Sequence, residues 1–176
     1  LENFSAFLGS TVLRPGKATI QARPPQPAPS PPPAPADLEG APSWVVPAHW
    51  ETGKPSSMRL ASHKVSDEDG NEIDFSITSF PGDVGGLLAN VNRWLGQIGL
   101  PPTDQENLPK FVRPVEVAGL PAQLVEASSQ DQALFAAILI KDDRSWFFKM
   151  TGSASLAAKE KEGFLSLLDS VSFPKP

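Results

Sequence analysis

From residue 58 onward the polar and apolar positions fall into regular periods. MRLASHKV (58–65) alternates, SDEDGN interrupts it, and EIDFSITSF (72–80) alternates again. Ile73, Phe75, Ile77 and Ser79 point one way while Asp74, Ser76, Thr78 and Phe80 point the other, the pattern of a β-hairpin. In FPGDVGGLLANVNRWLGQIGL (80–100) the period changes. Val84, Leu87, Leu88, Val91, Leu95 and Ile98 recur at helical spacing. Asp83 is placed to cap this helix, and Gly99 to end it before the prolines that follow. Gly85 and Gly86 lower helix propensity by roughly 1 kcal/mol each. The expected reason is a close approach of the first turn to the sheet or to a partner. The other reading, an anion cradle at the helix start, is opposed by Asp83, whose carboxylate would occupy and repel at the same end.

TDQENLPKFV (103–112) predicts a shorter second helix, capped by Thr103 or Asp104. Strands then return. FVRPVEVAG and PAQLVEAS flank a Gly-Leu-Pro turn. ALFAAILIK (133–141) is a continuous apolar run suited to a central strand, DDR a tight turn, and SWFFKMTG (145–152) the next strand. SASLAAKEKEGFLSLLDSV closes as a helix, with Leu156, Lys159, Gly163, Phe164, Leu167, Leu168 and Val171 on its buried stripe. A terminal SF is placed to pair weakly. The hairpins predict a largely antiparallel sheet with helices on it, an α+β sandwich.

The N-terminal quarter breaks this pattern. PPQPAPSPPPAP (24–35) is mostly proline, which lacks the amide donor and fixes its own φ. It predicts extended polyproline II, rising about 3.1 Å per residue and spanning on the order of 40 Å. Its readings are a plain spacer or a strap along a partner. Ahead of it, Phe4, Phe7 and Leu8 share helical spacing, and Val12, Leu13 and Ile20 continue the apolar character. These residues either pack back on their own domain or dock on another protein or a membrane edge. The expected organisation is an extended arm over residues 1–41 and a folded domain over 42–176.

Composition narrows the chemistry. The chain has 176 residues, 40% of them hydrophobic, which suffices for a real core. A net charge of -5 with scattered basic residues argues against a nucleic-acid partner. The absence of cysteine excludes disulfides, thiolate nucleophiles and cysteine metal sites. No apolar run approaches the roughly 20 residues of a membrane-spanning helix. The chain opens on Leu1 rather than Met, which leaves an upstream signal peptide or anchor open.

Candidate sites are few. The histidines, His49 and His63, fit no zinc spacing, and no HExxH occurs. The acidic turn DEDGNEID has its glycine, Gly70, too early for a calcium loop and reads as a solvated hairpin turn. There is no GxSxG, GxxxxGK[ST] or GxGxxG. Of the four tryptophans, Trp94 lies in the first helix. Trp146 shares a strand face with Phe148 while Phe147 faces away, and these aromatics read as core. Trp50 is the best candidate for a partly exposed contact. No catalytic residue, metal or cofactor is expected.

The order of these elements resembles the PsbP-like family. The matching stretches are a Pro and Trp entry (PSWVVPAHW), the hairpin of MRLASHKV and EIDFSITSF, and the long helix with GGLLANVNRW. The meander VEVAGLPAQLVEAS, ALFAAILIK and SWFFKMTG follows, and a helix ends in DSVSF. The resemblance covers residues 42–173. It implies an αβα sandwich without a common catalytic residue, in accessory proteins attached to larger assemblies on the luminal or periplasmic side. The leading expectation is a non-catalytic extrinsic subunit, peripheral to a membrane, of a photosynthetic or respiratory electron-transport complex. Phe4, Phe7 and Leu8 would be its apolar anchors, Arg14 and Arg23 its charge contacts, and Trp50 a further partner contact. A second class is an exported enzyme or small-ligand binder using Trp50, His49 and Arg59 between sheet and helix. A third, by fold analogy alone, is a GTPase-binding regulator.

Overall fold

The computed structural model describes residues 40–54, 56 and 58–175. The expectations for Phe4, Phe7, Leu8, Arg14, Arg23 and the proline run lie outside the described residues.

Strand β2 (Ala61–Ser66) pairs antiparallel with β3 (Glu72–Pro81), Ala61 opposite Ile77 and Ser66 opposite Glu72. Asp67 closes the turn between them by accepting the Asn71 backbone N–H at 2.9 Å and the Asn71 side-chain amide. The acidic loop is thus an Asx-type turn. A short β1 (Glu51–Thr52) flanks β2 at the edge. The second strand group is a meander: β4 (Val112–Val117), β5 (Leu120–Ser128), β6 (Gln132–Lys141) and β7 (Arg144–Ser153). Asp142 and Asp143 have φ of 52° and 56°, the paired left-handed residues of a two-residue hairpin loop. The β4–β5 turn is Ala118-Gly119, not the Gly-Leu-Pro expected, because these two residues take the positive φ values. Leu120 and Pro121 are already in β5.

The two groups join through β3 and β7, giving one antiparallel sheet in the order β1-β2-β3-β7-β6-β5-β4. Helix α1 (Gly86–Gln97) covers one face. Its Val91, Trp94 and Leu95 pack with Val125, Leu134 and Phe147. Helix α2 (Ala154–Ser170) covers the other, packing Leu156, Phe164 and Leu167 on Phe75, Phe148 and Met150. This is the α+β sandwich that the pattern predicts, in the αβα layering that the resemblance implies. Strand β7 serves both cores, Phe147 facing α1 and its neighbours Trp146 and Phe148 facing α2. The C-terminal SF does pair, Ser172 with Ser43.

Local expectations fail where tertiary bonds replace them. Asp83 does not cap α1. The cap residue is Gly85 at φ 80°, followed by Gly86 at φ 68°, so Asp83 lies two residues too early to reach the first-turn amides. The glycines serve this left-handed reversal rather than a close approach, since a Cβ on Gly86 would meet nothing within 4 Å. Buried Asn90 ties the reversal down, its amide donating to the carbonyls of Val84 and Gly86 at 2.8 Å each. At the far end Leu100 N–H bonds Leu95 O at 2.9 Å and Gly99 N–H bonds Gly96 O at 3.3 Å, a Schellman closure.

The helix expected over 103–112 shrinks to a 3-10 turn at Leu108–Lys110. Pro109 has no N–H to continue a helix capped at Asp104, whose carboxylate bonds the Asn107 N–H at 2.8 Å. The loop is held to α1 instead by Asn92, bonded to Thr103 N and O. In α2, Lys159 is exposed and Glu160, one residue on, takes its place on the inner stripe.

The β3–β7 pairing has one point of contact without slack. A Cβ on Gly152 would lie 2.2 Å from Glu72 O and 2.7 Å from Ile73 Cα, both backbone atoms. Gly152→Ala is therefore expected to cost about 2 kcal/mol or more by forcing the strands apart, read as a lower urea midpoint at unchanged slope.

Candidate functional site

Helix α1 packs on β5, β6 and β7 and leaves β2 and β3 uncovered on its side of the sheet. Alternation sends Ser62, Asp74, Ser76 and Thr78 to that open face, because Phe75 and Ile77 turn into the α2 core. The result is a cleft of about 360 Å³ between α1, β3 and the segment before β2. Its floor and inner wall are aromatic: Phe80, Phe147 and Trp94. Trp94 and Phe147 meet edge to face, centroids 6.0 Å apart at 86°.

Basic side chains reach the cleft from three elements: Arg59 before β2, Arg93 on α1 and Lys149 on β7. Arg59 is partnered, its Nη1 lying 2.9 Å from Asp74 Oδ2 and 3.3 Å from Ser62 Oγ. Arg93 and Lys149 end on neutral acceptors. Arg93 donates to Asn90 Oδ1, and Lys149 Nζ donates to Gln97 Oε1 at 3.1 Å. Neither joins an ion pair with a described carboxylate. Burial holds the Lys149 ammonium below the usual lysine range, and the charges of Arg59 and Arg93 push it the same way, against Asp74. The cleft thus carries excess positive charge on a chain whose net charge is -5. It can hold an anion. Among the described residues no carboxylate lines it, and Asp74, nearby on β3, is occupied by Arg59.

The structure separates the residues expected to form a pocket together. Arg59 lies in the cleft, whereas Trp50 and His49 lie on the α2 side. Trp50 is not the partly exposed contact expected: it is 6% exposed, with its ring 5.2 Å from that of Phe75. Its indole N–H donates to Glu160 Oε2 at 2.9 Å, and His49 Nε2 sits 2.8 Å from the same oxygen. Glu160, Arg93 and Lys149 are residues missed in reading the sequence. The one-position offset from Lys159 in the helical stripe is the signal for Glu160, and a charge inside the apolar strand SWFFKMTG is the signal for Lys149. Among the described residues no group of acidic or histidine side chains is placed to hold a metal.

His63 lies on β2 in the α2-side core, 2% exposed, opposite Phe75. Neither ring nitrogen has a hydrogen-bond partner. Burial lowers its pKa from the ordinary 6.5, and the nearby Glu51 backbone offsets part of this without reaching hydrogen-bonding geometry.

No family model matches the chain, and no curated protein matches it. Among solved structures it is similar to LpqN of Mycobacterium tuberculosis, a protein involved in cell envelope biogenesis. The identity is 12%, covering 80% of this chain and 88% of that one, with a TM-score of 0.48. It is similar also to cyanobacterial PsbP (CyanoP) from Synechocystis sp. PCC 6803, at 9% identity over 79% of this chain and 96% of that one, TM-score 0.46. A Pseudomonas aeruginosa protein of unknown function, PA94, a putative regulator by its description, matches at 13% identity over 80% and 88%, TM-score 0.39. The PsbP-like resemblance in the sequence is accompanied by a structural resemblance at low identity, and that likeness is one of shape.

His63 gives the pH dependence a sign. Its folded pKa lies below the unfolded value of 6.5, so the unfolded chain binds the proton first as pH falls. Its contribution is complete above 6.5, declines as pH falls through that value, and levels off below the folded pKa. His63→Leu is expected to flatten that part of the stability profile, measured as the urea midpoint against pH. An unchanged slope would show that His63 is not the group responsible.

Proposed function

We propose that this chain is a non-catalytic accessory protein, fastened by residues 1–41 to a larger, membrane-associated complex on the periplasmic or luminal side. The observation that carries this reading is the composition break near residue 40. A proline-rich segment with apolar and basic residues ahead of it precedes a folded domain whose acid–base side chains are engaged in structure. His49 meets Glu160, Asp74 meets Arg59, and His63 is core.

Physical chemistry supports the division of labour. A polyproline segment is extended before it binds, so it loses little conformational entropy on docking. Phe4, Phe7 and Leu8 supply apolar anchors, and Arg14 and Arg23 supply contacts to acidic groups on the partner. Among the described residues no helix is long and apolar enough to cross a membrane. On this reading the membrane association comes through the partner. An electron-transport complex remains the favoured host.

Deleting residues 1–36 is expected to abolish co-purification with the host complex from gently solubilised membranes. The truncated chain should keep a cooperative thermal transition and the near-ultraviolet tryptophan signals of the folded domain. Equal recovery of the same partners by the truncated and intact chains would overturn the arm as the attachment.

A further inference from the structure

We propose that the cleft beside α1 is a binding site for a small amphipathic anion, with a phosphate or carboxylate head held by Arg93, Lys149 and Arg59 and an apolar body against Phe80, Trp94 and Phe147. This goes beyond the attachment reading and is independent of it.

The first argument is the position of Lys149. It stands in the middle of β7, opposite Ser76 on one side and Ala136 on the other, between the buried Phe148 and Met150. A lysine on an exposed face would keep its ammonium in water. This one is half-buried, donates to the neutral Gln97, and is crowded by the like charges of Arg59 and Arg93. An apolar residue there would extend the α1 core at no electrostatic cost. A cation that weakens its own fold is a common mark of a site made for a ligand.

The second argument is the arrangement of the remaining charges. Asp74 is the carboxylate facing these cations, and it is turned onto Arg59. Arg59 is thereby held in place, which lowers the entropy lost when its remaining N–H groups meet a ligand. The Asp74 charge also closes the β2 side of the cleft to an anion, which leaves the Arg93 and Lys149 side as the place for the head. A guanidinium offers two parallel donors to a phosphate or carboxylate, and the ammonium adds a third direction.

The third argument is shape. A volume of about 360 Å³ falls at the small end of ligand-sized cavities. The wall beyond the cations is aromatic, and Asn90, which lines the cleft edge, is fixed by its bonds to Val84 and Gly86. An inorganic anion would use the cations and ignore that wall. A head with a short apolar chain would use both.

The test is titration of the full chain at low salt with hexyl phosphate, hexanoate and inorganic phosphate, followed by the Trp94 indole N–H signal in nitrogen-15 spectra. The expected result is saturable binding of one or both hexyl compounds, about tenfold or more tighter than inorganic phosphate and weakened by added salt. The preferred hexyl compound tells a phosphate head from a carboxylate. Arg93 is exposed, so Arg93→Gln leaves the fold intact and should weaken binding at least about tenfold. Lys149→Met should abolish binding while raising the melting temperature of the unliganded chain. The proposal is overturned by no saturable binding at millimolar ligand, or by equal affinity for inorganic and hexyl phosphate. Binding that Arg93→Gln leaves unchanged overturns it as well. Each of these outcomes leaves the attachment by residues 1–41 to its own experiment.

Discussion

The pairing of β3 with β7 is the constraint on which the rest of the molecule depends. These strands come from hairpin groups separated by α1 and three strands of the meander, and their ladder runs from Ile73–Gly152 to Pro81–Arg144. It sets Phe75 against Met150 and Ile77 against Phe148, which creates the apolar floor that α2 covers. The same ladder, through the two-residue period of a strand, puts Ser76 beside Lys149 on the opposite face. One register therefore builds the larger core and the polar half of the cleft. A slip of one residue would exchange the two faces. Gly152 guards the register, because backbone atoms of β3 occupy the space a side chain would need.

The two faces are closed to different extents. On the α2 side, Trp50, Phe75, Phe135 and Phe164 form a continuous aromatic cluster with centroid separations of 5.2 to 6.3 Å. On the other side α1 is twelve residues long and stops over β5, β6 and β7. The uncovered strip is polar in sequence and so needs no lid. The cleft exists because one short helix cannot span a seven-stranded sheet. Its cations come from three separate elements and meet only because the sheet brings them there.

Where local sequence and structure disagree, a tertiary partner has replaced a local one. Asp83 has a good capping side chain, yet the turn into α1 is made by two left-handed glycines and secured by Asn90 from inside the helix. The second helix expected after Thr103 gives way because Pro109 interrupts its amide chain, while Asn92 holds the loop from α1. Trp50 looked available next to a proline-rich segment, but Phe75 supplies a ring to pack on and Glu160 an acceptor for its N–H. Each partner lies on an element that sequence spacing does not bring near.

The sequence by itself determined the elements that depend on periodicity: the alternating strands, the tight turn at Asp142 and Asp143, the apolar stripes of both helices, and the sandwich that buries them. Those follow from neighbours two to four residues apart, which any reading of the chain can see. It also carried the change of composition near residue 40, because proline's missing amide is a local property. Only the tertiary structure decided what is buried among polar and aromatic side chains. It put His63 and Trp50 inside, parted Arg59 from His49, and gathered Arg59, Arg93 and Lys149 at one cleft. Burial and charge are properties of surroundings, and those surroundings come from strands and helices far apart in the chain.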